Sequence, residues 1–250
     1  MQHLNQQQIN QALEVRNCQQ PTIPKLPYDT ASRTVAEIAK DFLRKQDPNI
    51  VFRLDPETSR LYRLLTLYFT SNPEFESHFL QVEGGKIPYS LRKGNLLIGP
   101  TGRSKTFCYE KVFRLFTNRF APKLKYRVIS SHAIQTAFES EGMKALSMFR
   151  KNANSDTDNI YIDEIGIEEL NVQHFGNKQS PVNTFLHERH RLFTSGGFLT
   201  HASSNLKLAS NDKELNFKAA YGERTYSRLF EMFNIITIAG PDLRINIIPD

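Results

Sequence analysis

The residues best equipped for chemistry in this chain stand at Gly99 to Thr106, GPTGRSKT. The run matches the phosphate-loop pattern G-x-x-x-x-G-K-[ST] except at Ser104, which takes the place of the second glycine. In such a loop, backbone N–H groups and the positive end of the following helix converge on phosphate oxygens. A lysine neutralises the outer phosphates, and a hydroxyl ligates a magnesium ion. Those roles fall to the backbone of Gly99, Pro100, Thr101, Gly102, Arg103 and Ser104, to Lys105 and to Thr106, with Phe107 next to them as a further nucleotide-binding residue. An ordinary Gly-rich turn ahead of a basic helix has the same look, so the remainder of the chain must discriminate.

Three further stretches carry the matching chemistry. In NIYIDEIG an apolar strand runs into Asp163 and Glu164. At the carboxyl edge of an open α/β sheet, where ligands bind, the first can hold a magnesium ion and the second can orient and deprotonate a water. In FLTHASSNL a second apolar strand ends near Asn205, whose amide can hydrogen-bond an attacking water or a γ-phosphate. In YGERTYSRLFEMF, Arg224 and Arg228 stand four apart on one helix face, and Arg244 follows the last strand in GPDLR. Arginines so placed form surface ion pairs or reach a phosphate.

These residues need a frame. Val35, Ile38, Ala39, Phe42 and Leu43 follow helical spacing and predict an amphipathic helix that Asp47-Pro48 ends. Asp55 as N-cap and Pro56 at the first helical position begin a second, with Leu61, Leu64, Leu65, Tyr68 and Phe69 on its inner face. Strands are expected at Asn95 to Ile98, Tyr126 to Ser130, Asn159 to Ile162, Phe198 to Ser203 and Ile235 to Ile238. Helices fall between them: from Lys105, over His132 to Arg150 with a break at Gly142, from Pro181, and over Glu223 to Phe233. Strands alternating with helices predict an α/β fold with a five-stranded parallel sheet covered on both faces.

With these blocks in order, the chain resembles the AAA+ ATPases of the DnaC-type helicase loaders and their relatives, the IstB-type transposition helpers. GPTGRSKT, IYIDEIG, HFGNKQSPVNTFLHERH, THASSNL and YGERTYSRLFEMFNIITIAGPDLR carry the resemblance, which spans Gly94 to Arg244. It implies ATP with Mg2+ as cofactors, Lys105 and Thr106 in Walker A, Asp163 and Glu164 in Walker B, and Asn205 as sensor I. Arg228 becomes the finger offered in trans to a neighbouring subunit and Arg244 the sensor II arginine. A P-loop AAA+ core over 94–250 is implied, behind a helical lead-in over 49–93 and a partner-binding or linker region over 1–48, without a lid domain. The implied partners are single-stranded DNA and a replicative ring helicase, or a transposase on duplex DNA. Lys144, Arg150 and Lys151 are the implied phosphate contacts.

Ser104 departs from the pattern and keeps a third reading open, an ATP-binding scaffold with little hydrolysis. A positive φ there costs serine about 1–2 kcal/mol, and a helical φ costs almost nothing. The bulk properties agree with a soluble, cytoplasmic expectation: 250 residues, 39% hydrophobic, net charge +6, and no run of apolar residues long enough to span a membrane. The positive balance favours an anionic partner. Cys18 and Cys108 have no disulfide or zinc spacing, and His187-Glu188-x-His190 does not put both histidines on one helix face as a metal pair needs.

Overall fold

Asp55 and Pro56 do what their types favour: the Asp55 carboxylate accepts the Thr58 backbone N–H at 2.7 Å, and Pro56 opens the helix. The computed structural model describes residues 26–48, 54–142, 144, 159–168, 172–174, 177–208 and 216–243. Within it α1 (Tyr28–Gln46) precedes that helix, α2 (Pro56–Phe69), and a hairpin of β1 (Phe79–Val82) and β2 (Gly85–Pro88) follows. Then come β3 (Gly94–Ile98) and a helix that starts at Lys105, passes through a π-helical stretch over Phe107–Phe113 and ends as α3 (Arg114–Phe120). After β4 (Arg127–Ser130) and α4 (Ser131–Glu141) lie β5 (Ile160–Ile165), the short pair β6 (Val172–His174) and β7 (Asn177–Gln179), and α5 (Pro181–Gly196). The chain continues through β8 (Thr200–Ser204), α6 (Phe217–Met232) and β9 (Phe233–Thr237).

The five main strands are all parallel, in the order β4-β5-β8-β3-β9. This is the predicted α/β architecture, and it is consistent with a P-loop AAA+ core. Strand β3, the first of the five in the chain, lies between β8 and β9, so the order reverses beside it. An open sheet binds its ligand at such a reversal, outside the carboxyl ends of the strands. All five residues of β3 are buried, as a parallel strand covered on both faces requires.

Helix α1 turns Ala31, Val35, Ile38 and Ala39 inward against α2 and the helix behind the phosphate loop. Burying Val35 and Ile38 is worth about 1.5–3 kcal/mol each. The apolar face that could have docked on a partner is therefore covered by its own chain, and the outward face carries Arg33, Glu37 and Asp41.

Three boundaries differ from expectation, each for a local reason. Strand β5 extends past Ile162 to Ile165, because its pairing with β8 slips there and Ser203 and Ser204 take up the backbone of Glu164 and Ile165. Strand β8 starts at Thr200 because Gly197, in a left-handed conformation with φ 70°, ends α5, and Leu199 donates to the Asn159 side chain at 2.9 Å. Helix α6 begins at Phe217, capped by Asn216, and breaks at Gly222 with φ 81°. The β1–β2 hairpin, turning at Glu83-Gly84, was not expected at all, although a Gly-rich two-residue turn marks it.

The central strand β8 is polar yet wholly buried; its hydroxyls and His201 Nδ1 find partners, while His201 Nε2 has none among the described residues. Thr200 accepts from Arg189 Nε at 2.9 Å, Ser204 donates to the Ile165 carbonyl, and His201 Nδ1 accepts the Asn95 backbone N–H at 3.1 Å. Burial, and then the nearby Arg189 charge, push the His201 pKa down to about 3. An unfolded chain protonates His201 near its ordinary 6.5, so its contribution to stability is complete above that pH and is lost progressively toward 3. Thermal unfolding from pH 7.5 to 4 should trace this acid limb, and His201→Asn should flatten it; parallel curves for the two proteins would contradict the assignment.

Candidate active site

The phosphate loop is shaped by three positions. A Cβ on Gly99 would lie 2.4 Å from the Ile238 carbonyl oxygen, so only glycine lets the end of β3 approach the end of β9. Gly102 has φ 77°, and a Cβ there would meet the Asp242 carboxylate at 1.7 Å. Ser104 also lies in the left-handed region, at φ 58°. The conformation is therefore the strained one for serine, at about 1–2 kcal/mol. Ser104→Gly relieves that strain and returns part of it as unfolded-chain entropy, for a net gain of about 0.5–1 kcal/mol. Differential scanning calorimetry should register a midpoint about 2 °C higher, and an unchanged or lower midpoint would remove the strain argument.

Arg103, expected only as a backbone donor, is instead a buried structural cation. Its guanidinium pairs with Asp55 through Nη1–Oδ2 at 2.6 Å and Nη2–Oδ1 at 3.0 Å, and it also donates to the Pro241 carbonyl at 3.1 Å. The loop is thus tied to the cap of α2 and to the segment after β9, where Leu243 N–H reaches the Gly102 carbonyl at 3.2 Å. The Arg103 guanidinium, aided by the Thr58 amide, holds the Asp55 carboxyl down at about 2.

Lys105 and Asn205 meet across the point where the strand order reverses. Lys105 Nζ donates to the Gly99 and Pro100 carbonyls at 2.6 and 2.7 Å and to Asn205 Oδ1 at 2.8 Å, and Asn205 Nδ2 donates to Thr101 Oγ1 at 3.2 Å. The lysine, asparagine and loop predicted to act together are in direct contact, because β3 and β8 are neighbours and Asn205 follows β8.

Asp163 is the second centre. Its Oδ1 accepts from Thr106 Oγ1 at 2.9 Å, Ser203 Oγ at 2.7 Å and Tyr161 OH at 2.6 Å, while its Oδ2 accepts from none of the described residues. Ser203 also accepts the Glu164 N–H at 3.0 Å, and Ser131 donates to the Glu164 carbonyl at 2.8 Å. These two serines hold Glu164 in a left-handed conformation, φ 56°, which projects its carboxylate outward, exposed, beside the half-buried Asp163. Neighbouring strand residues ordinarily face opposite sides of a sheet; the irregular step at Glu164 is what delivers both acids to one edge.

A hydroxyl and a carboxylate in contact at the mouth of a phosphate loop suit magnesium, a hard cation held by one or two protein oxygens plus substrate phosphates. Among the described residues no group of three His, Cys, Asp or Glu side chains forms a cage of its own.

Arg228 donates to His187 Nδ1 on α5, and Arg224 is exposed one turn earlier. Lys144 is exposed, while Arg150, Lys151 and Arg244 lie outside the described residues. Sequence reading missed Tyr161, Ser131, Ser203 and the Asp55–Arg103 pair. Tyr161 was legible, standing two residues before Asp163 and therefore on the same strand face; its ring also stacks on Tyr109 at 4.5 Å. The serines come from other elements and carried no signal.

No protein-family model matches the chain, and no curated protein matches it. Among solved structures it is similar to one described as the DnaC helicase loader, with 13% identity and a TM-score of 0.47 over 76% of this chain and 94% of that one. It is also similar to DnaI, with 16% identity and a TM-score of 0.43 over 78% of this chain and 88% of that one.

Proposed function

We propose that this chain is an ATPase of the helicase-loader type, which binds ATP with Mg2+, oligomerises on single-stranded DNA and helps place a replicative ring helicase. The observation that carries the ATPase reading is the convergence of Lys105, Asn205, Thr106, Asp163 and Glu164 at one sheet edge, built by three separate segments. The loader reading is supported by the motif string from Gly94 to Arg244.

The backbone of Gly99 to Ser104 cradles the phosphates. Lys105 is held by three acceptors of the site, and it serves the outer phosphates by exchanging one of them for a phosphate oxygen. Thr106 and Asp163 would hold the magnesium ion, which supplies charge neutralisation between the phosphates. Glu164, exposed and fixed through its backbone, orients and deprotonates the attacking water. Asn205, anchored by Lys105 and Thr101, steers that water or the γ-phosphate. Arg228, held by His187, completes the site of a neighbouring subunit, and Arg244 would reach the γ-phosphate. ATP between subunits then favours the assembled state, and hydrolysis loosens it.

The strained Ser104 favours a second reading, a nucleotide-binding scaffold with slow turnover. Phosphate release measured with and without single-stranded DNA separates the two. A DNA-stimulated rate supports the enzyme, and a rate at background in wild type and in Ser104→Gly leaves the scaffold. Co-purification with a ring helicase supports the loader; capture of a transposase instead, with preference for duplex DNA, would replace it by the transposition helper.

A further inference from the structure

Helices α5 and α6 lie side by side, and a chain of hydrogen bonds crosses between them. Asn183 Nδ2 donates to the Tyr221 carbonyl at 3.3 Å, beside the break at Gly222, which fixes which way the amide faces. Its Oδ1 therefore accepts the Thr225 hydroxyl proton, at 2.6 Å. With that proton committed, Thr225 can only accept from His187 Nε2, 2.9 Å away, so Nε2 carries the imidazole hydrogen. Arginine has donors alone, and Arg228 accordingly meets the lone pair of His187 Nδ1. Each proton in the series has one consistent place, and the imidazole is neutral.

The charge on Arg228 is the second observation. Among the described residues neither Arg228 nor Arg224 forms an ion pair, although a carboxylate stands close by, where Glu231 hydrogen-bonds His190 Nε2 at 2.9 Å one turn further along α5. A carboxylate partner would orient Arg228 and neutralise it together. A neutral imidazole orients it and leaves the full charge for an anion from outside the chain.

We propose that His187 is a positioning residue for Arg228: Asn183 and Thr225 pin its hydrogen on Nε2, and Nδ1 aims the guanidinium at the phosphates of a neighbouring subunit. This rests on the reading of Arg228 as a group acting in trans. Burial, and then the Arg228 and Arg224 charges, push the His187 pKa below its ordinary value, which keeps the imidazole in the accepting form.

The relay is tested first without turnover. In 15N-histidine spectra of the full chain at neutral pH, His187 should be the Nε2–H tautomer; an Nδ1–H tautomer or an imidazolium overturns the proposal. Turnover then separates the roles. His187→Phe, which keeps the ring volume and loses the acceptor, should lower turnover at least about tenfold, the rate equivalent of one hydrogen bond, with nucleotide affinity unchanged. His187→Asn, whose oxygen reproduces Nδ1, should restore most of the rate, and His187→Gln, which reaches toward Thr225, should not. Mixed with Lys105→Ala subunits, His187→Phe should recover activity to the level that Arg228→Ala recovers. Wild-type turnover in His187→Phe, or equal rates in the Asn and Gln variants, overturns the proposal while leaving Arg228 its role. Wild-type turnover in Arg228→Ala removes the trans reading and this proposal with it.

Discussion

An Asp55→Ala variant is expected to lose about 3–5 kcal/mol of folding stability, because it leaves the fully buried Arg103 guanidinium without its carboxylate partner. Loss of the α2 cap adds about 1 kcal/mol. For a chain of this length the thermal midpoint should fall by roughly 10 °C. Asp55→Asn separates the two contributions, since asparagine caps a helix equally well and lacks the charge. It should recover the cap alone and remain destabilised. The pair also has a pH signature: the Asp55 pKa is depressed to about 2 from an ordinary 3.8, so its stabilisation is complete above 3.8 and is lost as pH falls toward 2. Chemical denaturation at pH 7 is the direct measurement, and an Asp55→Ala loss below about 1 kcal/mol would mean that the pair sits at the surface value for ion pairs. Because Arg103 belongs to the phosphate loop, the same variant should weaken nucleotide binding in proportion to the loosening of that loop.

Glu164→Gln is expected to lower ATP turnover by at least about 100-fold, the scale of a lost general base. Nucleotide affinity should stay within a factor of about 3, because the amide cradle, Lys105 and Thr106 are untouched. The separation is clean for a structural reason. The conformation of residue 164 is held by Ser203 and Ser131 through backbone groups, so exchanging carboxylate for amide leaves the geometry in place. Single-turnover phosphate release together with fluorescent-nucleotide titration reads both quantities. A variant that hydrolyses ATP like wild type would transfer the base role away from Glu164, and one that fails to bind would place the residue in the nucleotide cradle itself.

Ser104 connects these results. Its positive φ puts the loop's strain at the residue before Lys105, the position where the phosphate-loop pattern carries glycine. The loop tolerates the serine because its neighbours fix its shape: Gly99 against Ile238, Gly102 against Asp242, and Arg103 locked to Asp55.

The amino-acid sequence by itself determined the order of the five main strands and the helices between them, the cap of α2, and the identity of the groups that would do chemistry. Each is written in nearest-neighbour terms, as a spacing, a cap residue or a turn residue. What only the tertiary structure decided is where those groups meet. Lys105 touches Asn205 because the sheet order brings β8 beside β3. Asp163 and Glu164 share an edge because Ser203 from β8 and Ser131 from α4 impose a backbone conformation that a regular strand would not adopt. Arg103 reads as a loop residue and becomes a buried partner of Asp55, 48 positions earlier. His187 reads as part of a failed metal motif and becomes the acceptor for Arg228, 41 positions later. Such contacts depend on pairing between segments distant in the chain, and no local propensity encodes a long-range partner; only the packing of the whole sheet and its helices specifies it.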